Sequence, residues 1–331
     1  GITSPERLAK QVTAALRAGK HIIFTGPPGT GKTAVAERIS SHLADAYPHL
    51  YSGSELTTAT ADWSTFDTVG GYMPEPDVGG DQLAFQPGLM LNRLQDHDRD
   101  LPINEPVVID DLNRANIDKA FGQLFTTLSG QSVTLPYRDP ETDTELSLVT
   151  ATDAPQPVPS STIVVPTAWR IFATMNTFDK TSLYELSYAF LRRFATIRIG
   201  IPDIPTDSRE QEAFMGGYIH GGVWGLDVQP NVQRHVAAIW QATNTAVDNR
   251  SIGPAIIEDM LAYLDHHEDS PSAPGFTEAV VSYIFPQLEG VPERKAIVQQ
   301  LAELDDVLEF DALSRAAEDM LDVTGLTPPT E

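Results

Sequence analysis

Apolar positions along the chain fall into two kinds of block. Leu8, Val12 and Leu16 recur at four-residue spacing, with Ser4 and Pro5 ahead of them and Gly19 behind. That pattern predicts a capped amphipathic helix. Residues 21–25, HIIFT, are an unbroken run that predicts a buried strand. A glycine-rich stretch follows, GPPGTGKT, and then a second helical period with Val35, Ile39 and Leu43 expected on the inner face. Residues 106–110, PVVID, predict another buried strand, with a helix over 118–128 behind it. Residues 170–174, RIFAT, predict a third. The helix expected after it opens at Ser182, has Glu185 three residues on in a capping-box spacing, and ends in Leu191, Arg192, Arg193 and Phe194.

The stretches between these blocks are different. Residues 45–105 are rich in Gly, Pro, Asp and Thr, with a helical pattern only in the second half of 85–96. A connection of that length is more often functional than idle. Residues 131–169 alternate strand-like patches with turns and predict a hairpin insertion. Beyond Gly200 three helical stripes appear: Val232, Val236, Ile239 and Val247; Ile256, Met260 and Leu264; Val280, Ile284 and Leu288. The closing TPPTE is expected to fray. The pattern therefore predicts an α/β domain over 1–200, with insertions near 51–100 and 131–169, and a helical domain over 201–331.

Composition narrows the class. With 331 residues, 41% of them hydrophobic, the chain has enough apolar surface for a sizeable core, which excludes wholesale disorder. No apolar run approaches the ~20 residues that span a bilayer. There is no secretory pattern at the start, and a cytoplasmic location is expected. The chain opens GITSPERL, without an initiating Met, as a processed chain or an excised domain would. Cysteine is absent, which removes disulfides, thiol nucleophiles and thiolate metal sites. Asp and Glu number 46 against 22 Lys and Arg, a net charge of -24, and only six of the basic residues are Lys. The acid is spread along the chain, so it reads as a surface adapted to high salt, where charge is screened within a few ångström. It says little about nucleic acid, although an acidic surface is poorly suited to phosphate backbones. The eight His show no metal-ligand spacing, and His266 and His267 read as solvated. Trp63 and Trp169 lie in or beside the insertions, as partly buried aromatics or as partner contacts.

The chemistry sits at the ends of the predicted strands. GPPGTGKT satisfies G-x-x-x-x-G-K-[ST] in a strand–loop–helix context. Its members, Gly26, Pro27, Pro28, Gly29, Thr30, Gly31, Lys32 and Thr33, with Ala34 behind them, are the candidate phosphate-binding set. The glycines let backbone N–H groups turn around phosphate oxygens at the start of a helix. Lys32 supplies a positive charge, and Thr33 a hydroxyl for Mg²⁺. Asp110 is a candidate Mg²⁺ ligand and Asp111 a candidate base orienting the attacking water, although a run ending in Asp-Asp is often only a strand leaving the core. Asn176 is a candidate partner of that water or of the γ-phosphate; a turn-forming Asn is the other reading. Arg192 and Arg193 read either as cations at a helix C-terminus or as a finger reaching a neighbour's γ-phosphate.

Together these motifs resemble an AAA+ NTPase of the MoxR/McrB branch. GPPGTGKT resembles the Walker A motif, VVIDD the Walker B position, Asn176 sensor 1, and the helical tail the AAA+ lid. DDLNRANIDKAFGQL resembles the D-E-I-N-R-A stretch of that branch. MNTFDKTSLYELSYAFLRRF is similar to the M-N-T-x-D-R-S…L-R-R-R-F stretch of McrB, the GTP-driven motor of modification-dependent restriction systems. The strand-rich insertion before Asn176 also resembles the hairpin of this branch. The resemblance implies an α/β P-loop domain, a parallel sheet between helices, followed by an all-helical lid. It implies a homo-oligomeric ring, usually a hexamer, with nucleotide between subunits. It ranks Arg193 before Arg192 as the finger, and places Asn113 and Arg114 by the nucleotide or the subunit interface. It makes residues 175–180, with Asp179 and Lys180, a surface for an McrC-like nuclease subunit. Three departures stand out. Asp111 replaces the usual Glu, Lys180 replaces an Arg and loses its planar fork, and Ala255 occupies the place of a sensor-2 Arg, leaving Arg250 as the candidate.

The function expected is nucleotide hydrolysis with Mg²⁺, ATP first and GTP as the alternative, driving remodelling or translocation. Two other readings stand beside it: a nucleotide-gated platform of weak turnover that recruits a nuclease or other effector, and a MoxR-type chaperone. DNA contact is left open.

Overall fold

The structure, a computed structural model, describes residues 5–74, 83–96, 101–139, 142–176, 186–220, 224–245, 251–267 and 271–328. The capping pair Ser182 and Glu185 lies outside the described residues, as do Ser4, Val247 and positions 329–331. Backbone contacts divide the chain into two units, 4–26 with 32–198, and 199–331 with 1–3 and 27–31.

The first unit is built on buried apolar strands. Helix α1 (Pro5–Arg17) precedes β1 (His21–Gly26), and α2 (Lys32–Ala46) follows the loop. Then come β2 (Glu55–Thr58), the one-turn α3 (Thr65–Thr68), the hairpin β3 (Gly70–Pro74) with β4 (Leu83–Pro87), and the short pair β5 (Gln95–Asp96) and β6 (Leu101–Pro102). Strand β7 (Val107–Asp110) leads to α4 (Ile117–Phe121) and to β8 (Val133–Arg138), β9 (Glu145–Thr150) and β10 (Thr162–Val165). Last are β11 (Ile171–Asn176), the one-turn α5 (Tyr188–Leu191) and β12 (Phe194–Arg198).

Five strands form a parallel sheet in the order β12-β1-β11-β7-β2. Ile22, Ile23, Phe24, Val107, Val108, Ile109, Ile171, Phe172 and Ala173 are all fully buried, which explains why these strands are continuous apolar runs. The sheet of β10-β9-β8 is the insertion expected over 131–169; β8 and β9 are its antiparallel hairpin and β10 joins β9 in parallel.

Several expectations change. The inner face of α2 is Lys32, Ala36 and Ser40, while Val35, Ile39 and Leu43 are half-buried. Small residues face inwards because α2 lies close on β7 and β11. Leu16 is half-buried, and Ala15 takes the inner position on α1. The helix expected over 118–128 is α4, capped by the Asn116 side chain on Lys119 N–H, followed by two 3-10 turns at Gly122–Leu124 and Thr127–Ser129. The helical half of 85–96 is one 3-10 turn, Leu91–Arg93. Strand β12 carries no separate sequence expectation. Trp63 and Trp169 are 8% and 3% exposed, and Trp169 Nε1 donates to the Glu105 carbonyl at 2.9 Å, so both are core aromatics.

The second unit is helical: α6 (Ser208–Ile219), α7 (Pro230–Thr245), α8 (Pro254–His267), α9 (Ala273–Ala279), a π-helical segment Val280–Ile284, α10 (Phe285–Leu288), α11 (Arg294–Ala302) and α12 (Phe310–Leu321). Asp207 caps α6 by accepting from Arg209 and Glu210 N–H. Val232, Val236, Ile239, Met260, Leu264, Val280, Ile284 and Leu288 are buried as their spacing requires; Ile256 is half-buried and Ile257 takes the inner place. Trp240, fully buried, donates to the Ile252 carbonyl at 2.8 Å.

Candidate functional site

Parallel strands end on one side of their sheet, where ligands bind in open α/β folds. β1 ends at Gly26, paired with Asn176 of β11, and the neighbouring β7 ends at Asp110. The parallel order therefore brings the end of β1, the acid at the end of β7 and the amide at the end of β11 to one edge.

Gly29 and Gly31 of the loop have φ of +71° and +79°, a region that side chains disfavour. Thr30 is buried, and its hydroxyl donates to the Pro27 carbonyl at 3.0 Å, closing the turn. Residues 27–31 group with the helical unit, where Ala255 N–H donates to the Gly29 carbonyl at 3.0 Å. A Cβ on Gly253 would lie 2.5 Å from the Gly29 carbonyl carbon, so that approach requires glycine.

Lys32 opens α2 and is 6% exposed. Burial pushes its ammonium below the usual lysine range, while Asp111 and Asp110 oppose that shift. Thr33 Oγ1 donates to Asp110 Oδ1 at 2.5 Å. Thr174 Oγ1, on β11, donates to the same oxygen at 2.5 Å and accepts from Asp111 N–H at 3.0 Å. Thr33 at the start of α2 and Asp110 at the end of β7 are hard oxygen donors joined at 2.5 Å, the chemistry Mg²⁺ selects, so the residues fit that ion. Among the described residues no cluster of three or more His, Cys, Asp or Glu competes for a metal.

Asp111 is the second acid. Its Oδ1 accepts from Asn176 Nδ2 at 2.7 Å and its Oδ2 from Arg114 Nη2 at 2.7 Å. Ala34 follows on an exposed position of α2.

The two arginines after α5 are placed differently. Ser187 caps this helix by accepting from Phe190 N–H, and its hydroxyl donates to Asp118 at 3.1 Å. Arg193 Nε donates to the Phe125 carbonyl at 2.7 Å, its Nη1 to the Ala189 carbonyl, and its guanidinium lies 5.3 Å from the Phe125 ring centre. Arg193 thus tethers α5 to its own subunit. Arg192 is exposed; its N–H donates to the Tyr188 carbonyl at 3.1 Å and its carbonyl accepts from Lys20 Nζ at 2.8 Å. Of the two guanidiniums, that of Arg193 is engaged within the chain.

Asn113 is 2% exposed, on the 3-10 turn that follows Asp111. Asp179, Lys180 and Arg250 lie outside the described residues. Sequence reasoning missed Thr174. The period of two along β11 puts it on the same face as Asn176, which was a usable signal. It also missed the Arg114–Asp111 pair, which the i,i+3 spacing allows.

Residues 21–194 match the family described as AAA domain (dynein-related subfamily). A curated relative, the type IV methyl-directed restriction enzyme EcoKMcrB subunit of Escherichia coli (strain K12), is 28% identical over 200 residues. That match takes in 59% of this chain and 38% of the relative's length. A solved structure of a candidate ATPase from Cytophaga hutchinsonii aligns over 97% of this chain and 82% of its own at 13% identity, with a TM-score of 0.35, too low a likeness to carry an argument. With residues 21–194 matched, the chain belongs to the AAA domain family, dynein-related subfamily.

Proposed function

We propose that this chain binds and hydrolyses a nucleoside triphosphate, ATP first with GTP as the alternative, at subunit interfaces of a homo-oligomeric ring of hexameric type, and that turnover drives remodelling or translocation. The observation that carries this is the shared carboxylate cradle: Asp110 held by Thr33 and Thr174, with Asp111 held by Asn176 beside it.

Each residue has one task. The loop N–H groups, with Lys32, cradle the phosphates. Thr33 and Asp110 would hold Mg²⁺, which when bound supplies neutralising charge to the phosphate oxygens. Asp111 accepts a hydrogen bond from the attacking water, and Asn176 fixes that carboxylate. Arg192, exposed at the end of α5, reaches a neighbour's γ-phosphate, where such a cation is worth several powers of ten in rate. Tyr188, one turn earlier and 86% exposed, belongs to the same subunit contact. A nuclease subunit of a restriction system is the partner this reading gives the module. Its acidic surface suits high salt.

A platform of weak turnover is favoured by one feature, the short Asp111 side chain where relatives of this type carry Glu. It predicts that Asp111→Asn changes neither ring assembly nor effector binding. The central reading is tested by Lys32→Ala, measured with a fluorescent nucleotide and by phosphate release. Loss of both supports the site; retained binding and turnover refute it.

A further inference from the structure

The acid proposed to orient water is held in an unusual way. Asp111 has φ 51° and ψ 46°, a left-handed conformation uncommon outside glycine. It caps a 3-10 turn, Leu112–Arg114, in which Arg114 N–H donates to the Asp111 carbonyl at 2.9 Å. Leu112 and Asn113 are buried at 0% and 2% and anchor the turn. Arg114, turned outward, sends Nη2 back to Asp111 Oδ2 at 2.7 Å. Asn176 takes the other oxygen.

A carboxylate offers about four lone-pair positions, and Asn176 and Arg114 each take one. The Asp111 side chain is 14% exposed and that of Arg114 49%. The acid end is therefore largely shielded, unlike a pair between two surface groups, and a charge-assisted bond there has directional force. Arg114 and Asn176 hold the two carboxylate oxygens from opposite partners.

We infer that Arg114 is a positioning residue acting in cis: with Asn176 it fixes the Asp111 carboxylate of its own subunit, rather than reaching the nucleotide of a neighbour. This rests on the reading of Asp111 as the water-orienting acid.

The test uses the full chain at high salt, with phosphate release and fluorescent-nucleotide affinity as readouts. Arg114→Ala is expected to lower kcat by about 10-fold or more, since small displacements at a reacting centre are costly, while nucleotide affinity stays within about 2-fold, because Arg114 touches the acid and not the phosphates. Arg114→Lys recovers part of the loss, having charge without the fork. The decisive step is co-assembly with Lys32→Ala subunits. A trans-acting arginine would be supplied by the Lys32→Ala subunit, and turnover would rise above the average of the two variants. A cis-acting one cannot be supplied, and no rise is expected. The double variant Arg192→Ala, Arg193→Ala is the control expected to recover. Recovery by Arg114→Ala overturns the proposal, and so does unchanged kcat or an equal loss in affinity. If only the control fails to recover, the neighbour-finger reading falls, while the Arg114 kcat and affinity results still decide the cis role. Wild-type protein inert with both nucleotides would sink both.

Discussion

Thr174→Val is the sharpest probe of the site, because it changes one hydroxyl and almost no volume. Thr174 is 1% exposed. Its hydroxyl donates to Asp110 Oδ1 at 2.5 Å and accepts from Asp111 N–H at 3.0 Å. Valine fills the same space, so no cavity term arises. The first loss is a hydrogen bond to a charged group, worth about 1.5–3 kcal/mol, and the second orphans a buried N–H, costing about 1–3 kcal/mol. Together roughly 3 kcal/mol is at stake, after allowing for partial rearrangement. For a unit of this size that lowers the melting temperature by about 6–12 °C. Both acids lose a support, so turnover should fall about 10-fold or more even where the fold persists. Thr174→Ser keeps the hydroxyl and should retain most of the turnover. The assays are thermal unfolding and phosphate release. A Thr174→Val protein with wild-type melting and wild-type turnover would falsify the proposed support of the two acids.

Other regions make independent predictions. His21 is buried between Trp169 and Phe194, and burial, with Arg170 and Lys20 nearby, lowers its pKa from 6.5 to about 3. Its Nδ1 accepts from Ile171 N–H at 3.0 Å. The unfolded chain therefore takes up a proton that the folded chain refuses, and the stability present above pH 6.5 is lost as pH falls towards 3. Between pH 7 and 5 the loss is about 2 kcal/mol. Urea titrations at the two pH values should show this in the wild type and not in His21→Asn, which keeps an acceptor; equal pH dependence in both would remove His21 as the cause. Gly70 has φ +124°, and a Cβ there would meet the Gln86 carbonyl oxygen at 2.2 Å, so Gly70→Ala should open the β3–β4 hairpin at its base. Proteolysis between 70 and 87 should speed up, and an unchanged cleavage pattern would count against the hairpin's close pairing.

The site was legible where chemistry imposes a local pattern. The loop needs its glycines and Lys32 in a fixed order. The strands that carry Asp110 and Asn176 are buried on both faces, so they stand out as apolar runs. What was not legible depends on how elements meet. The inward face of α2 uses Ala36 and Ser40 because the helix lies close to the sheet, and small residues carry no hydrophobic signal. Strand β12 is five residues, FATIR, directly after two arginines, too short to separate from a helix end. The engagement of Arg193 within the chain follows from Phe125 and Ala189 lying within reach of its guanidinium, which no spacing along the chain encodes. The support that Thr174 gives to the two acids likewise appears only when β7 and β11 are seen side by side.

The central claim is a ring whose sites are completed by a neighbour. The most direct measurement is phosphate release from ATP and from GTP, at high salt, over a wide range of protein concentration, with Lys32→Ala as control. Turnover of at least one nucleotide is expected, abolished by Lys32→Ala, with a rate per subunit that rises with concentration to a plateau as subunits meet. A rate per subunit that is constant from the most dilute sample upwards would contradict it, because the site would then be complete within one chain.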